Sequence, residues 1–386
     1  MKKLFQNSML WMAVIMLSLS AVSCEKDNNG DDPNEDELLQ SILDKYVTTT
    51  VIPTYKALAE GALEMRAANE ALKISQTDAN MKAASDAWMK TRIVWELSEA
   101  FLFGPVSDDA MDIDAHIDSW PLELNDIKEV LANGALELTG KKAWLMDAEV
   151  IGFHVTEYLL YRDGQSRPAA DLTAAELKYL TAATDALVWD CILAYVAWVG
   201  EDNVTAEMKS VFRENDDIVK HLTEKNAAYM NFGQKLKNGT NYSSMKDAFD
   251  EIAGGCADIA GEVGTTKIEG PYQSGKVEDV ESWYSWHSLD DYTNNIYSIK
   301  NAYLGGLGDG SRTSVSLSTY VASKDANLDT KIKEKIDECI TKIGAMGKGG
   351  KSFYEVVRDQ INKTEVEAAV DACVDLENLF KGLPEL

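Results

Sequence analysis

Apolar residues recur every three or four positions along most of the chain, which is the spacing of one face of an α-helix. Asp78 and Thr173 are suited to cap two of the predicted helices, and Pro53 is expected to kink the first. Strand-like alternation is limited to residues 315–321. Long helices joined by short links predict an all-α fold of two four-helix-bundle-like domains. The predicted helices cover residues 38–69, 78–102, 125–132, 141–162, 173–199, 205–236, 243–263, 280–304, 327–343 and 352–380.

The strongest turn signal inside the chain is the sequence D-G-Q-S-R-P at residues 163–168. It predicts a domain boundary at this point, with an N-terminal bundle over residues 38–165 and a C-terminal bundle over residues 166–386.

The N-terminus has the pattern of a secretory signal. Lys2 and Lys3 precede an apolar run over residues 10–19, and A-V-S-C at residues 21–24 resembles a bacterial lipoprotein cleavage site. The pattern predicts a signal peptide over residues 1–23, lipidation of Cys24, and an acidic flexible tether over residues 24–37. The protein is therefore expected to be lipid-anchored outside the cytoplasm of a Gram-negative bacterium, in the periplasm or at the cell surface.

The formal net charge is −27, and it becomes −29 when Lys2 and Lys3 leave with the signal peptide. So acidic a chain is not expected to bind nucleic acid, or to touch a membrane other than through the anchor. Four further cysteines are widely spaced and allow three disulfide pairings, or each is a small buried apolar residue; they are Cys191, Cys256, Cys339 and Cys373.

The most informative stretch is the G-x-H-x-x-E pattern at residues 152–157. On a helix, His154 and Glu157 share one face, so they form either half of a metal site or a hydrogen-bonded acid/base pair. Their apolar neighbours favour burial, and buried ionisable groups concentrate at functional sites. Gly152 allows another segment to approach the backbone closely.

Two other stretches are dense in polar and aromatic residues. In residues 88–105, Arg92 can pair with Glu96 or Glu99 on one helix face, and Glu99 is the stronger functional candidate. The two tryptophans of that face are expected to be core residues. The second stretch, residues 281–305, is expected to line a cleft. The candidate cleft residues are Gly152, Arg92, Trp120, Ser285, His287 and Asp291.

Three motifs together resemble the imelysin family. They are G-F-H-V-T-E-Y-L-L-Y, the upstream W-x-x-x-R-x-x-W-E-x-S-E-x-F-x-F-G-P followed by W-P, and the downstream E-S-W-Y-S-W-H-S-x-x-D. The resemblance implies two related helical bundles with the G-x-H-x-x-E signature near their junction. The family is catalogued among peptidases and includes iron-regulated lipoproteins and a periplasmic component of ferrous-iron uptake. The chain departs from the family pattern at residues 286–288, which implies a different ligand specificity.

The leading interpretation is a binding protein for iron uptake, with His154, Glu157, Glu99 and Asp114 as metal ligands. Imidazole and carboxylate also suit zinc, so zinc is the alternative metal. The expected partners are a metal ion or a small ligand and a membrane iron-uptake system.

Two alternatives remain. A metallopeptidase would need a metal-bound water and a general base. The chain has no H-E-x-x-H pattern, so no catalytic residue is assigned and a binding protein is favoured over an active peptidase. The other alternative is a cleft that binds a small molecule or peptide without metal, with His154 and Glu157 as a hydrogen-bonding pair.

Overall fold

The computed structural model describes residues 33–107 and 111–386. The described part is mainly helical and has almost no strand, which confirms the all-α prediction. The helices of its first half are α1 (Pro33–Tyr46), α2 (Ile52–Ile74), α3 (Asp78–Glu96), α4 (Ile113–Asp118), α5 (Leu124–Asn133), α6 (Gly140–Ala143), α7 (Gly152–Leu160), α8 (Ala174–Val199) and α9 (Ala206–Phe212). Those of its second half are α10 (Asp216–Lys220), α11 (Phe232–Lys237), α12 (Met245–Glu262), α13 (Gly270–Ser274), α14 (Ser288–Leu304), α15 (Leu317–Lys324), α16 (Ala326–Met346), α17 (Phe353–Asp359) and α18 (Lys363–Lys381).

Two groups of long helices form the core. In one, α2 packs along both α3 and α8; in the other, α18 packs along α12 and α16. Helix α14 contacts α3 as well as α12 and α16, so it connects the two groups. Helix α8 follows the predicted boundary at residue 166, yet it packs against α2, which precedes that boundary. The boundary itself stays a prediction.

Helix α8 is apolar on all sides and almost completely buried. In the described part of the chain it alone is long and apolar enough to cross a membrane, but its position inside the fold is that of a core helix. Thr173 caps it as predicted, because the Thr173 hydroxyl accepts a hydrogen bond from the backbone N–H of Glu176 while the Glu176 carboxylate accepts one from the backbone N–H of Thr173.

Several predicted helices are interrupted. The predicted helix over residues 141–162 is wrong as one element: α6 ends at Ala143, and α7 begins only at Gly152. Gly152 has φ +77°, which is outside the helical region. The predicted helix over residues 205–236 divides into α9, α10 and α11, and the one over residues 352–380 divides into α17 and α18.

The helix predicted from residue 280 begins at Ser288 instead. Ser282 and Trp286 have φ values of +53° and +64°, so residues 281–287 form a compact turn. Residues 315–321 are not a strand, since α15 covers most of them with Ser316 as its cap. The strands of the described chain are β1 (Tyr161–Arg162) and β2 (Gln165–Ser166), which form a short antiparallel pair.

At the N-terminus, α1 begins at Pro33, so the last residues of the predicted tether are helical. The predicted signal peptide and Cys24 lie outside the described residues. Asp78 is the first residue of α3, and Thr77 is its cap. The four remaining cysteines are all buried and free.

Gly152 generates a prediction about stability. A Cβ added there would lie 2.5 Å from the carbonyl oxygen of Ile117 and 2.7 Å from that of His116, in addition to the unfavourable φ. We expect Gly152→Ala to lower the free energy of unfolding by about 2 kcal/mol or more. Urea denaturation followed by far-UV circular dichroism measures this. Gly344→Ala is the control, because Gly344 is helical and an added Cβ meets nothing within 4 Å. Equal effects of the two substitutions would contradict the prediction.

Candidate functional site

A buried cluster of charged side chains lies where six segments of the chain meet. The end of α3 and the 3₁₀ turn after it supply Arg92, Glu96 and Glu99, which are spaced at helical intervals and so share one face. Helix α4 ends in Asp118, and α7 supplies His154 and Glu157. The turn over residues 281–287, the start of α14 and a π-helix over Val263–Glu269 complete the cluster.

Arg92 is fully buried at the centre of this cluster. Its Nη2 lies 2.7 Å from Glu281 Oε1 and 2.5 Å from Glu96 Oε1, and its Nη1 contacts Asp118. Asp291 Oδ2 lies 4.0 Å from its Nε. One guanidinium therefore holds carboxylates from α3, α4, the 281–287 turn and α14 together. A buried guanidinium needs such partners, because an unpaired charge in the interior is strongly destabilising.

His154 is fully buried and has a different carboxylate on each side of its ring. Nδ1 lies 3.2 Å from Glu157 Oε2, and the other Glu157 oxygen accepts a hydrogen bond of 2.8 Å from the backbone N–H of Ser285. An ionised carboxylate only accepts, so Nδ1 is the donor to Glu157. Nε2 lies 3.0 Å from Asp118 Oδ1 and 3.9 Å from Glu281 Oε1, and it is not aligned with either for a hydrogen bond.

These contacts shift the pKa of both members of the His154–Asp118 pair. Burial and the charge of Arg92 lower the pKa of His154, but the close contacts with Asp118 and Glu157 outweigh them and raise it to about 9. Burial raises the pKa of Asp118, but Arg92 and His154 outweigh burial and hold it well below its ordinary value. The imidazole is therefore protonated at neutral pH when no other cation is bound.

Lys267 extends the cluster towards solvent. The π-helix over Val263–Glu269 carries it, and π-helical turns are frequent at functional sites. Its ammonium lies 3.3 Å from Glu281 Oε1, 3.8 Å from Glu262 Oε1 and 3.9 Å from Glu99 Oε2. At most one of these distances allows a hydrogen bond, so this cation is held loosely by three carboxylates.

A pocket of about 430 Å³ opens onto the cluster. Its inner wall includes Asp118, Glu281 and Lys267, and Trp120 forms part of an apolar wall, with its ring centroid 4.7 Å from that of His154. A second cavity of about 500 Å³ adjoins it and shares Glu99, Leu102, Asp114 and Glu262 with it. Among the described residues, the second cavity is lined by further carboxylates and by no basic side chain, so the approach to the cluster is strongly acidic.

Three residues offer donor atoms that could hold a metal ion. One atom each from Asp118, His154 and Glu281 lie within 4.8 Å of one another. Glu157 binds the opposite nitrogen of His154, which is the arrangement by which a carboxylate orients a metal-binding histidine. The cluster is therefore suited to bind a cation with one imidazole and several carboxylate oxygens.

The structure brings most of the sequence-predicted residues together, with differences in their contacts. Ser285 contributes its backbone N–H to the site, while its hydroxyl donates to the carbonyl of Ser282. Asp114 lines both cavities but does not belong to the ligand-distance group of His154. His287 lies outside the cluster and is hydrogen-bonded to Asp290 at the partly exposed start of α14.

Sequence reasoning missed Asp118, Glu281 and Lys267 as site residues. Asp118 ends the acidic stretch that precedes Trp120, and Glu281 begins the downstream motif. Both residues therefore lie in stretches that the sequence marks as unusual. Lys267 lies in a glycine-bounded stretch without any chemical motif, and no signal in the sequence marks it.

Comparison with known proteins places these observations in a family. Residues 51–380 match the peptidase family described as Imelysin. Iron-regulated protein A of Synechococcus elongatus is 26% identical over 265 residues, which cover 69% of this chain and 64% of that protein. The match thus spans less than two thirds of this relative's length.

Two solved structures are similar over nearly the whole chain. An iron-regulated protein A precursor from Parabacteroides distasonis is 28% identical with a TM-score of 0.76, covering 92% of this chain and 96% of the other. An imelysin-like protein from Psychrobacter arcticum is 14% identical with a TM-score of 0.60, covering 94% of this chain and 96% of the other. At this identity the similarity supports only the fold.

The raised pKa of His154 predicts how stability changes with pH. Because the pKa rises from 6.5 to about 9 on folding, the protonated imidazole stabilises the fold below pH 6.5, and this contribution is lost as the pH passes 9. It amounts to about 3 kcal/mol. We expect the free energy of unfolding to fall between pH 6 and pH 10, and His154→Gln to reduce that fall by about this amount. Urea denaturation at a series of pH values measures it.

The control is His287→Gln, which removes a histidine with a carboxylate partner from a half-exposed position. It should keep the pH profile of the wild type. Parallel profiles for His154→Gln and the wild type would contradict the assignment of this titration to His154.

Proposed function

Because the chain belongs to the imelysin family, we propose that it is an extracytoplasmic binding protein that takes up a metal cation at His154, with iron as the favoured cargo. The observation that carries this proposal is the environment of His154 Nε2. This buried nitrogen is oriented by Glu157, makes no aligned hydrogen bond, and faces the carboxylates of Asp118 and Glu281. The names of two relatives support iron as the cargo: iron-regulated protein A of Synechococcus elongatus and an iron-regulated protein A precursor of Parabacteroides distasonis.

The donor atoms fit a first-row transition metal. Imidazole and carboxylate are ligands that iron and zinc both accept, so zinc remains the alternative. Glu281 Oε2 is buried and has no hydrogen-bond partner, which leaves it available to a cation. Asp118 and Glu281 also bind Arg92, but each carboxylate has about four lone-pair positions and can serve two cations.

Each neighbour then has a defined part in binding. Asp118, His154 and Glu281 hold the cation, and Glu157 fixes the imidazole so that Nε2 faces them. Arg92 keeps the two carboxylates in place when no metal is bound. The acidic cavity beside the pocket raises the local concentration of cations, because its carboxylates outnumber the lysines that pair with them.

Lipidation of Cys24 and delivery of the cation to a membrane iron-uptake system complete the proposal. The N-terminal sequence supports the anchor, since a small-residue cleavage site directly precedes Cys24. An anchored carrier would hold its cargo close to the membrane protein that accepts it.

Calorimetric titration tests the metal site directly. We expect the purified protein to bind Fe²⁺ under anaerobic conditions with saturation, and Zn²⁺ competitively. His154→Gln removes the nitrogen donor and should weaken binding by about 100-fold or more. His287→Gln is the matched control, because that histidine also faces a carboxylate three residues on, while no carboxylate of the described residues pairs with its other nitrogen. Unchanged affinity in His154→Gln would overturn the proposal.

Glu157→Gln tests the orienting carboxylate separately. Glu157 accepts from Ser285 N–H with one oxygen and from His154 Nδ1 with the other, whereas glutamine has a single acceptor oxygen. We therefore expect metal affinity to fall by about 10- to 100-fold with the fold retained. The same titration, accompanied by circular dichroism, measures this, and a loss of fold in place of affinity would assign Glu157 a structural role only.

A further inference from the structure

We propose that the protein has a second cation position beside the first, formed by Glu96, Glu99 and Asp118, with Asp118 shared between the two. The inference rests on the proposed function, because the shared carboxylate belongs to the first position. The ligand would be a hard divalent cation, since all of the protein donors are carboxylate oxygens.

The geometry of the three carboxylates carries the proposal. One oxygen from each of Glu96, Glu99 and Asp118 lies within 4.8 Å of the others, as in the first group. Glu96 and Glu99 come from adjacent turns at the end of α3, and Asp118 is the last residue of α4. The three donors therefore sit on two helical segments of the scaffold and not on one exposed loop.

The carboxylates of Glu96 and Glu99 differ in their surroundings. Glu99 is 6% exposed and lines both cavities. The cation closest to it is Lys267, with Nζ 3.9 Å from Oε2, which is beyond hydrogen-bond distance. Glu96 Oε1 is fully buried and, although it pairs with Arg92, has no aligned hydrogen bond. A buried carboxylate oxygen without an aligned donor, as at Glu96, is a position at which an ion can bind.

The second position is accessible from the same pocket. Glu99 and Asp118 both line the cavity of about 430 Å³, and Glu99 also lines the acidic cavity next to it. Cations that share one carboxylate lie a few ångströms apart, and known two-metal sites have separations of about 3.5–4 Å. Cations at the two positions would therefore interact magnetically when both are paramagnetic.

Arg92 already pairs with Glu96 and Asp118, and Lys267 is the competing cation at Glu99. Its ammonium is the only side-chain cation within 4 Å of Glu99 among the described residues, and its distances to all three carboxylate partners are long. A cation bound by Glu99 would displace this ammonium towards the pocket. Lys267→Met removes the competing charge, so we expect it to tighten the second cation by about 10-fold while changing the first less.

The test is Mn²⁺ binding, measured by equilibrium dialysis with elemental analysis and by low-temperature electron paramagnetic resonance. We expect two Mn²⁺ per wild-type chain with an exchange-coupled signal. Glu99→Gln and His154→Gln should each retain one Mn²⁺ with the six-line signal of an isolated ion. Asp279→Asn is the matched control, because Asp279 is an exposed carboxylate that lines the same pocket outside both groups. It should retain two coupled ions.

The outcomes separate this inference from the proposed function. One Mn²⁺ in the wild type, lost in His154→Gln and unaffected by Glu99→Gln, would overturn the second position and leave the first intact. Two ions that both persist in Glu99→Gln would overturn it as well. An absence of Mn²⁺, Fe²⁺ and Zn²⁺ binding in the wild type would overturn the proposed function itself. If circular dichroism shows Glu99→Gln to be unfolded, Glu99→Asp replaces it. Aspartate keeps the charge but has a side chain that is one methylene shorter.

Discussion

The buried guanidinium of Arg92 is the interaction on which the central part of the molecule depends. It joins α3 to Asp118 at the end of α4 and to Glu281 in the turn before α14. The buried guanidinium is stabilised by the carboxylates that surround it. Those carboxylates are in turn stabilised in the interior by the guanidinium. The two sides of the cluster therefore require each other, and a change in one of them leaves an uncompensated charge in the interior. This mutual dependence fixes the positions of the groups that face His154.

The cluster lies where the regular helices are interrupted. Gly152 starts α7 against the backbone of α4, which brings His154 next to Asp118. The left-handed residues Ser282 and Trp286 shape the turn that presents Glu281 and the backbone N–H of Ser285. At each interruption the backbone leaves the regular helical path, and a polar group there contacts the cluster around Arg92 and His154. The helices supply a rigid frame, and the breaks between them build the site.

The helical fold and part of the site could be predicted from the sequence. Apolar spacing is a local property, so it located most helices, and the G-x-H-x-x-E pattern located His154 and Glu157. The interruption at Gly152 was not predicted, because its φ is imposed by the close approach of α4. Nor could the sequence choose between Asp114 and Asp118, which are four residues apart on one helix. The packing of α4 against α7 decides that Asp118 reaches His154, and such packing is a tertiary property.

Sharing of oxygens also explains how such a site could release what it binds. A cation held by Asp118 and Glu281 uses carboxylates that already serve Arg92 and, in the case of Glu281, Lys267. Arg92 and Lys267 would repel a bound cation, and they also stabilise the cation-free site. Both effects lower the affinity of the site for a cation. A site with no such competitors would bind more tightly and give up its ion more slowly. For a carrier that passes a cation to another protein, internal competitors of this kind favour transfer over storage.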